Sequence, residues 1–471
     1  MLFIGGKWLR RKQELSVYNP YTFEEIGKVS IPEDKDIEFA VERAKIGLRE
    51  LAKLSSCEKS RILLSVAERI RADKERLAKI LVMEVGKTIR EARTEVARAI
   101  ETFTLSAEEA KRIYGETVPY DSVPYGKGRK GFYIRVPAGI VLAIAPFNFP
   151  FNLVAHKVGP ALACGDPVIL KPSSLTPFIA IELVKILLDA GLPPDAIALL
   201  PGPGGKIGDK LVSHPDIRIV SFTGSLEVAE RLTRLAGFKR LIIEAGSNSA
   251  CVVFDDANLE FAAKRIAIGA MTLAGQVCIS VQRVFVHNNI WNEFIDLLKQ
   301  EVEKLKLGDP MDESTDVGPM ITEDAAERAK NWVDEAVKLG ARIITGGKVN
   351  NSLFAPTILI NVPRTAKIYH EEAFAPVVCV NKFNTVDEAI ELTNDTKYGL
   401  QAGVFTSNLK IAFEFINHVD AGGIIINDVP TFRADPMPYG GMKLSGLGRE
   451  GPKFAIEELT EIKSVCFNLE N

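Results

Sequence analysis

Cysteine and histidine are scarce in this chain, with six of the former and five of the latter in 471 residues. So few cysteines exclude a small disulfide-stapled scaffold. Neither they nor His156, His214, His287, His370 and His418 fall at metal-ligand spacings, so no catalytic metal is expected. Long apolar runs are missing too. The longest, Gly139 to Phe151, contains Asn148 and two prolines and falls short of the roughly 18 apolar residues of a membrane span. No excess of one charge is present: 58 basic against 61 acidic residues give −3. No run of Lys and Arg is interleaved with aromatics, so nucleic acid is not an expected partner. The N-terminus turns polar after four residues and has no signal-peptide apolar stretch. With cysteines that look unpaired, this leads us to expect a reduced, cytoplasmic protein.

What remains is ordinary globular material: 46% apolar and 25% charged residues, which excludes wholesale disorder. At roughly 100–200 residues per domain the length predicts two to four domains. Apolar positions at Ile37, Val41, Ala44, Leu48 and Leu51 keep a helical period. Residues 58–84 and 94–113 read as helices as well, making the first third mainly helical. Between Pro119 and Pro137, Gly126, Gly128 and Gly131 separate β-favouring segments, as in a hairpin. Short apolar runs then alternate with helical segments: GIVLAIAPFNFP, DPVILKPS, AIALLPG, IRIVSFTGS and RLIIEAG. Continuous runs of this kind mark parallel strands buried on both faces, hence a doubly wound nucleotide-binding domain. A second alternation starts near Ala250 with ACVVFDDA and QRVFVH and predicts a second α/β domain.

Several residues could carry chemistry. Cys278 follows Gly275 at the apparent end of a helix, among small and polar neighbours. It reads either as a small core residue or as a nucleophile needing a dipolar or positive setting. Glu244 ends the strand LIIE, at the sheet edge where open α/β folds bind ligands; it is a solvated strand end or a general base made basic by burial. Asn148, between Phe147 and Phe149 after another strand, is a turn residue or an oxyanion donor. Gly202, Gly204 and Gly208 are spaced one residue longer than the dinucleotide fingerprint. Gly224 and Ser225 open a helix, as an N-cap, a phosphate site or both. Lys171 closes the strand VIL and could reach a ribose or a phosphate.

Taken in order, PFNFP at 146–150, KPS at 171–173, FTGS at 222–225, Glu244-Ala245-Gly246, GQVC at 275–278, EAFAP at 372–376 and the closing PYGGMKLSGLGREG resemble the aldehyde dehydrogenase superfamily over nearly the whole chain. The resemblance implies a Rossmann-like cofactor domain (1–117 and 137–248), a second α/β catalytic domain (249–444) and a small β oligomerisation element (118–136 and 445–471), with a homodimer or homotetramer expected. It implies that the Cys278 thiolate attacks an aldehyde, with Asn148 and the Cys278 N–H holding the oxyanion, and that Glu244 activates the water that hydrolyses the thioester. It also implies cofactor contacts along Ile144, Ala145, Pro146 and Phe147, at Lys171, Ser173 and Ser174, and at Gly204, Gly208, Phe222, Gly224, Ser225 and Val228. Ala245, Gly246, Glu372 and Phe374 would serve the nicotinamide half. NAD-preferring relatives often carry Glu three residues after the Lys of this motif, to bind the ribose diol. Ser174 stands there, so NADP is the expected preference, with NAD possible. The chain departs from the family pattern at Ser247-Asn248, at Ala375 and at Ala229, and none of these removes a reacting group.

The segment Phe432-Arg433-Ala434-Asp435-Pro436-Met437-Pro438 resembles that of a subgroup acting on small polar aldehydes such as lactaldehyde or glyceraldehyde 3-phosphate. Arg433 is either a bidentate substrate ligand or an ion-pair partner of Asp435, and Arg283 is a second candidate for the substrate. Semialdehydes and simple aliphatic aldehydes stay open. A CoA-acylating enzyme and a non-catalytic nucleotide-binding protein are the competing readings, and the presence of Glu244 and Cys278 argues against them.

Overall fold

In the computed structural model, which describes residues 1–469, two sheets meet at their functional edges. The first has eight strands. Its five central strands, in spatial order Ile197–Leu199, Val168–Lys171, Ile140–Ile144, Ile217–Thr223 and Arg240–Glu244, are parallel. Along one strand, Val141 and Ala143 enter the core that includes Val154, Val158 and Leu183, while Leu142 and Ile144 enter the core of Ile37, Val41, Leu211 and Leu232. Both faces are covered by helices, which is why these strands read as unbroken apolar runs. The strand order reverses beside Ile140–Ile144: later strands add on one side, then on the other. Such a switch point opens a crevice at the strands' carboxyl ends.

The second sheet has seven strands, from Arg342–Thr345 through Thr357–Ile360, Val377–Phe383, Arg283–His287, Ala250–Val253 and Gln401–Phe405 to Gly423–Ile426. All its pairings are parallel except the first. A third, antiparallel sheet joins Glu116–Val118, Arg129–Pro137 and Thr460–Asn468.

Three expectations need correction. The first third is less helical than its pattern: strands Leu2–Ile4, Lys7–Leu9, Glu14–Tyr18 and Glu25–Ser30 precede the helices, and the first two extend the large sheet. Three-residue strands on an antiparallel edge are too short to show a period. The helical stretch 58–84 is two helices, Ser56–Ala72 and Lys74–Val85, parted at Asp73, whose backbone leaves the helical region. Of the stretch 445–471, the described residues, up to 469, do not form one element. Gly446–Leu447 pairs with Arg240–Glu244 in the first sheet, Ala455 and Ile456 of helix Pro452–Glu458 enter that domain's core, and only Thr460–Asn468 joins the third sheet.

Candidate active site

The helix Leu259–Met271 ends in a left-handed run, Leu273, Ala274 and Gly275, with φ of 50°, 51° and 69°. Side-chain-bearing residues adopt this conformation at a cost of about 1–2 kcal/mol each, so tertiary contacts must hold it. Gly275 leaves no choice at its own position: a Cβ there would stand 2.0 Å from the carbonyl oxygen of Ala375. Gln276 fixes the turn by donating from Nε2 to the Leu273 carbonyl (3.1 Å) and accepting the Ile321 N–H at Oε1 (2.9 Å). The run thus brings Cys278 to the junction of two clefts, one of about 840 Å³ and one of about 560 Å³, and Cys278 lines both.

Asn148 follows the strand Ile140–Ile144. Its Nδ2 donates to the Gln276 carbonyl at 3.0 Å, so one amide hydrogen is held and the second is free for an oxyanion. Its own carbonyl accepts from Lys87 Nζ at 2.8 Å. Lys87 is buried and paired with Glu95, which also accepts the N–H groups of Phe151 and Asn152. This buried pair pins the Asn148 loop from below. Glu244 ends its strand in the larger cleft, 3% exposed, and among the described residues neither carboxyl oxygen has a partner in hydrogen-bond geometry, although the nearby Cys278 thiol slightly favours its charged form. Burial first, then the charge of Glu450, push its pKa up to about 7, against Arg433 and Lys157. Burial and the Glu244 charge hold the Cys278 thiol well above its usual value. At neutral pH the resting sulfur therefore carries its proton, and its hydrogen-bond partner is Tyr439 Oη at 3.0 Å.

The larger cleft is lined by Ala145, Pro146 and Phe147, by Lys171, Ser173 and Ser174, and by Gly224, Ser225, Gly246, Glu372 and Phe374. Its chemistry fits a dinucleotide. Lys171 is buried, its pKa is lowered to about 8 by that burial, and its ammonium meets only the Pro172 carbonyl at 3.4 Å, so it lacks an anionic acceptor. Gly224 lies over the Phe222 ring, where a Cβ would be 2.6 Å from Cζ, and leaves room at the N-terminus of helix Leu226–Ala236, an anion-favouring position. Glu372 accepts the Ser247 N–H at 2.9 Å, and its other oxygen abuts Gly246, whose φ is +81°. Burial pushes its pKa up to about 8. Phe374, at φ 49°, sets its ring edge-on to Phe147 with centroids 5.8 Å apart.

Six of the expected cofactor residues do not line this cleft. Ile144, Phe222 and Ala245 are packed in the core behind it. Val228 is exposed on the helix that Ser225 caps. Gly204 and Gly208 lie on helix Gly204–Ser213 with open space where a Cβ would stand.

The smaller cleft holds Arg433, and the structure decides its partner. Arg433 Nη2 pairs with Glu450 at 3.1 Å, not with Asp435. Asp435 instead accepts from Arg98 at 2.8 Å and contacts His156 Nε2 at 3.0 Å. Among the described residues Arg433 Nε has no partner, although the side chain is only 5% exposed. Arg283, the second expected substrate residue, lines neither cleft. It lies in the core of the second domain with its guanidinium on the carbonyls of Asn248, Leu392, Thr393 and Asp395, away from both clefts. At the departures Ser247 and Asn248, the Ser247 hydroxyl lies 2.8 Å from that of Ser249, and Asn248 Nδ2 donates to the Tyr369 carbonyl at 2.7 Å. Sequence reading missed Tyr439 and the Lys87–Glu95 pair. PYGG marked the family without giving its Tyr a role, and nothing near Lys87 in the chain points 61 residues ahead to Asn148.

The aldehyde dehydrogenase family profile matches residues 8–465. The chain belongs to the aldehyde dehydrogenase family. It is 45% identical over 468 residues to the 3-sulfolactaldehyde dehydrogenase of Priestia aryabhattai, covering 99% of this chain and 98% of that one. The aldehyde dehydrogenase 21 of Physcomitrella patens, solved with its reaction product succinate, superposes with a TM-score of 0.97 at 38% identity, covering 100% of this chain and 98% of that one. The glyceraldehyde-3-phosphate dehydrogenase GapN of Methanocaldococcus jannaschii, solved with NADP, gives 0.93 at 39% identity, covering 97% and 100%. As an aldehyde dehydrogenase the chain is an NAD(P)-dependent oxidoreductase.

Proposed function

We propose that this aldehyde dehydrogenase oxidises a small polar aldehyde bearing an anionic group to its carboxylic acid, by a hydrolytic route through Cys278 and with NADP preferred. The observation that carries the chemistry is the position of Cys278, shared by both clefts, with Asn148 and Glu244 lining the larger one beside it. The sulfur bonds to the aldehyde carbon as its proton leaves to Glu244 or water. Asn148 Nδ2 and the Cys278 N–H steady the resulting oxyanion; such a donor is worth about 2.7–4 kcal/mol of barrier. A bound nicotinamide supplies the hydride acceptor, and the carbon is left as a thioester on Cys278. Glu244, basic enough near neutrality, takes a proton from water as the hydroxyl adds to the thioester, and the proton returns to the departing sulfur.

The substrate class rests on Arg433. A buried guanidinium with a spare N–H, beside the reacting sulfur, suits a sulfonate, phosphate or carboxylate. The sulfolactaldehyde, the glyceraldehyde 3-phosphate and the succinate named for the relatives all carry such a group. Glyceraldehyde 3-phosphate and sulfolactaldehyde-like compounds are therefore the first to assay, with a semialdehyde acid next and neutral lactaldehyde as the contrasting member. NADP preference rests on Ser174, a neutral residue whose hydroxyl is turned onto the Gly202 carbonyl at 2.9 Å, with the Lys171 ammonium nearby in the same cleft. Thr460–Asn468 is the outermost strand of the third sheet among the described residues, and the exposed Phe132, Ile134 and Phe467 support self-association into a dimer or tetramer through that sheet.

A panel of anionic and neutral aldehydes assayed with NADP and NAD tests the proposal. Higher kcat/KM for anionic members and for NADP is expected, with Cys278→Ala abolishing turnover while cofactor binding stays. A preference for neutral aldehydes that Arg433→Met leaves unchanged overturns the substrate reading. Acyl-CoA formation in place of free acid overturns the hydrolytic one.

A further inference from the structure

We infer that Tyr439 is a positioning residue for the nucleophile: its phenol donates a hydrogen bond to the Cys278 sulfur once the thiol has lost its proton, and holds the thiolate at the junction of the two clefts. This rests on the reading of Cys278 as nucleophile.

Tyr439 Oη lies 3.0 Å from Sγ, and the ring is 2% exposed. Its backbone is tied on both sides to Glu450, the Tyr439 N–H donating at 3.1 Å and its carbonyl accepting at 2.6 Å. The Arg433 guanidinium lies over the ring at 3.7 Å from the centroid and is itself held by Glu450. The phenol is thus fixed from three directions while its hydroxyl faces sulfur.

A thiol and a phenol at this distance can bond in either sense, but a thiolate can only accept. Loss of the sulfur proton therefore sets the direction, and the phenol becomes the donor. The need for a donor is local. Burial and the charge of Glu244 both oppose the anionic sulfur, and the Tyr439 hydrogen bond is among the few contributions that favour it. A neutral donor in a water-poor site stabilises an anion far more than it would in solvent. The cation against the ring face withdraws electron density and makes the O–H a better donor.

Alkylation of Cys278 by iodoacetamide, followed across pH in the intact enzyme, tests this. In Tyr439→Phe the rate at neutral pH should fall about tenfold to a hundredfold, the span for a hydrogen bond to a charged group, with the midpoint of the profile moved to higher pH. Replacing Tyr439 by 3-fluorotyrosine, a stronger donor of nearly the same shape, should move the midpoint to lower pH. kcat/KM for aldehyde should follow the same order, and cofactor affinity should stay constant. An unchanged profile in Tyr439→Phe, or shifts of the same sign in both variants, overturns the inference. If the Phe variant does not fold, the sign of the fluorotyrosine shift decides alone. Peptide mapping of the alkylated site separates the two readings: if carboxamidomethylated Cys278 still supports turnover, the nucleophile assignment falls as well. If activity is lost but the profiles coincide, only the role of Tyr439 falls.

Discussion

Around the reacting carbon, a thiol that must lose its proton sits in one buried volume with a carboxyl that must accept one. The interior disfavours both anions and each opposes the other, so the order of proton movement becomes part of the chemistry. Glu244, with its pKa near 7, changes state within the working range. Only its carboxylate can take a proton from water. Hydrolysis should therefore speed up as pH rises through about 7 and run about tenfold slower at pH 6, where roughly a tenth of the groups are ionised. Under conditions where deacylation limits, kcat against pH should show this limb. In Glu244→Gln the limb should vanish, leaving a burst of reduced cofactor without steady turnover; loss of the burst as well would place Glu244 earlier, in thiol deprotonation. At the other end of the same cleft, Ser174→Glu would set a carboxylate where a 2′-phosphate is expected. Repulsion should lower kcat/KM for NADP by at least tenfold relative to NAD, and an unchanged ratio would place the discriminating contact elsewhere.

At the scale of elements, two devices bring the clefts into register, and both can be broken singly. The left-handed turn before Cys278 packs Gly275 against Ala375, next to the loop that carries Glu372 and Phe374. Gly275→Ala would drive a methyl into a backbone oxygen, so both loops must part. A fall in kcat of tenfold or more with a rise in KM for cofactor is expected from steady-state assays. Arg283 closes the second domain by capping carbonyls from two separate segments, Asn248 and the stretch from Leu392 to Asp395. Arg283→Met would orphan several of them at about 1–3 kcal/mol each. Its denaturation midpoint should drop while KM for the aldehyde in the surviving enzyme stays put, which distinguishes a structural Arg from a substrate ligand. These elements also show what could be read in advance. Strands such as Ile140–Ile144 were legible because burial on both faces writes itself locally as an unbroken apolar run; Glu244 and Asn148, after such strands, and Cys278, after a helix, stood out as candidates, but only the family resemblance gave them roles. Tyr439 was not legible, since its sulfur partner lies 161 residues away. Nor was the fate of Arg433, which depended on whether Glu450 or Asp435 stood nearer after folding; Asp435 is two residues off in sequence and already engaged by Arg98.

For the whole molecule, the decisive question is what covers the third sheet. Strand Thr460–Asn468 pairs along its full length with Arg129–Pro137 on one side, and among the described residues no further strand joins the sheet beyond it. Cross-strand register puts Phe132, Ile134, Val465 and Phe467 on one face, and the Phe132 and Phe467 rings lie 6.2 Å apart. Phe132, Ile134 and Phe467 are 37%, 39% and 51% exposed. An open strand edge beside an apolar face is a pairing template that soluble proteins normally cover or blunt. A second copy of the chain, supplying its own sheet or the edge of its second domain, would cover both at once. Phe132→Lys combined with Phe467→Lys leaves every ladder hydrogen bond intact and charges only that face. In sedimentation velocity the parent chain should run as a dimer or tetramer and the double variant as a monomer with unchanged far-ultraviolet circular dichroism. Should the variant keep the parent's sedimentation coefficient, the sheet is not the assembly surface. Because Tyr439, Arg433 and the two clefts all lie within one chain, the monomer should retain cofactor binding, and the loss of activity on dilution would then measure how far the assembly stiffens the site rather than completes it.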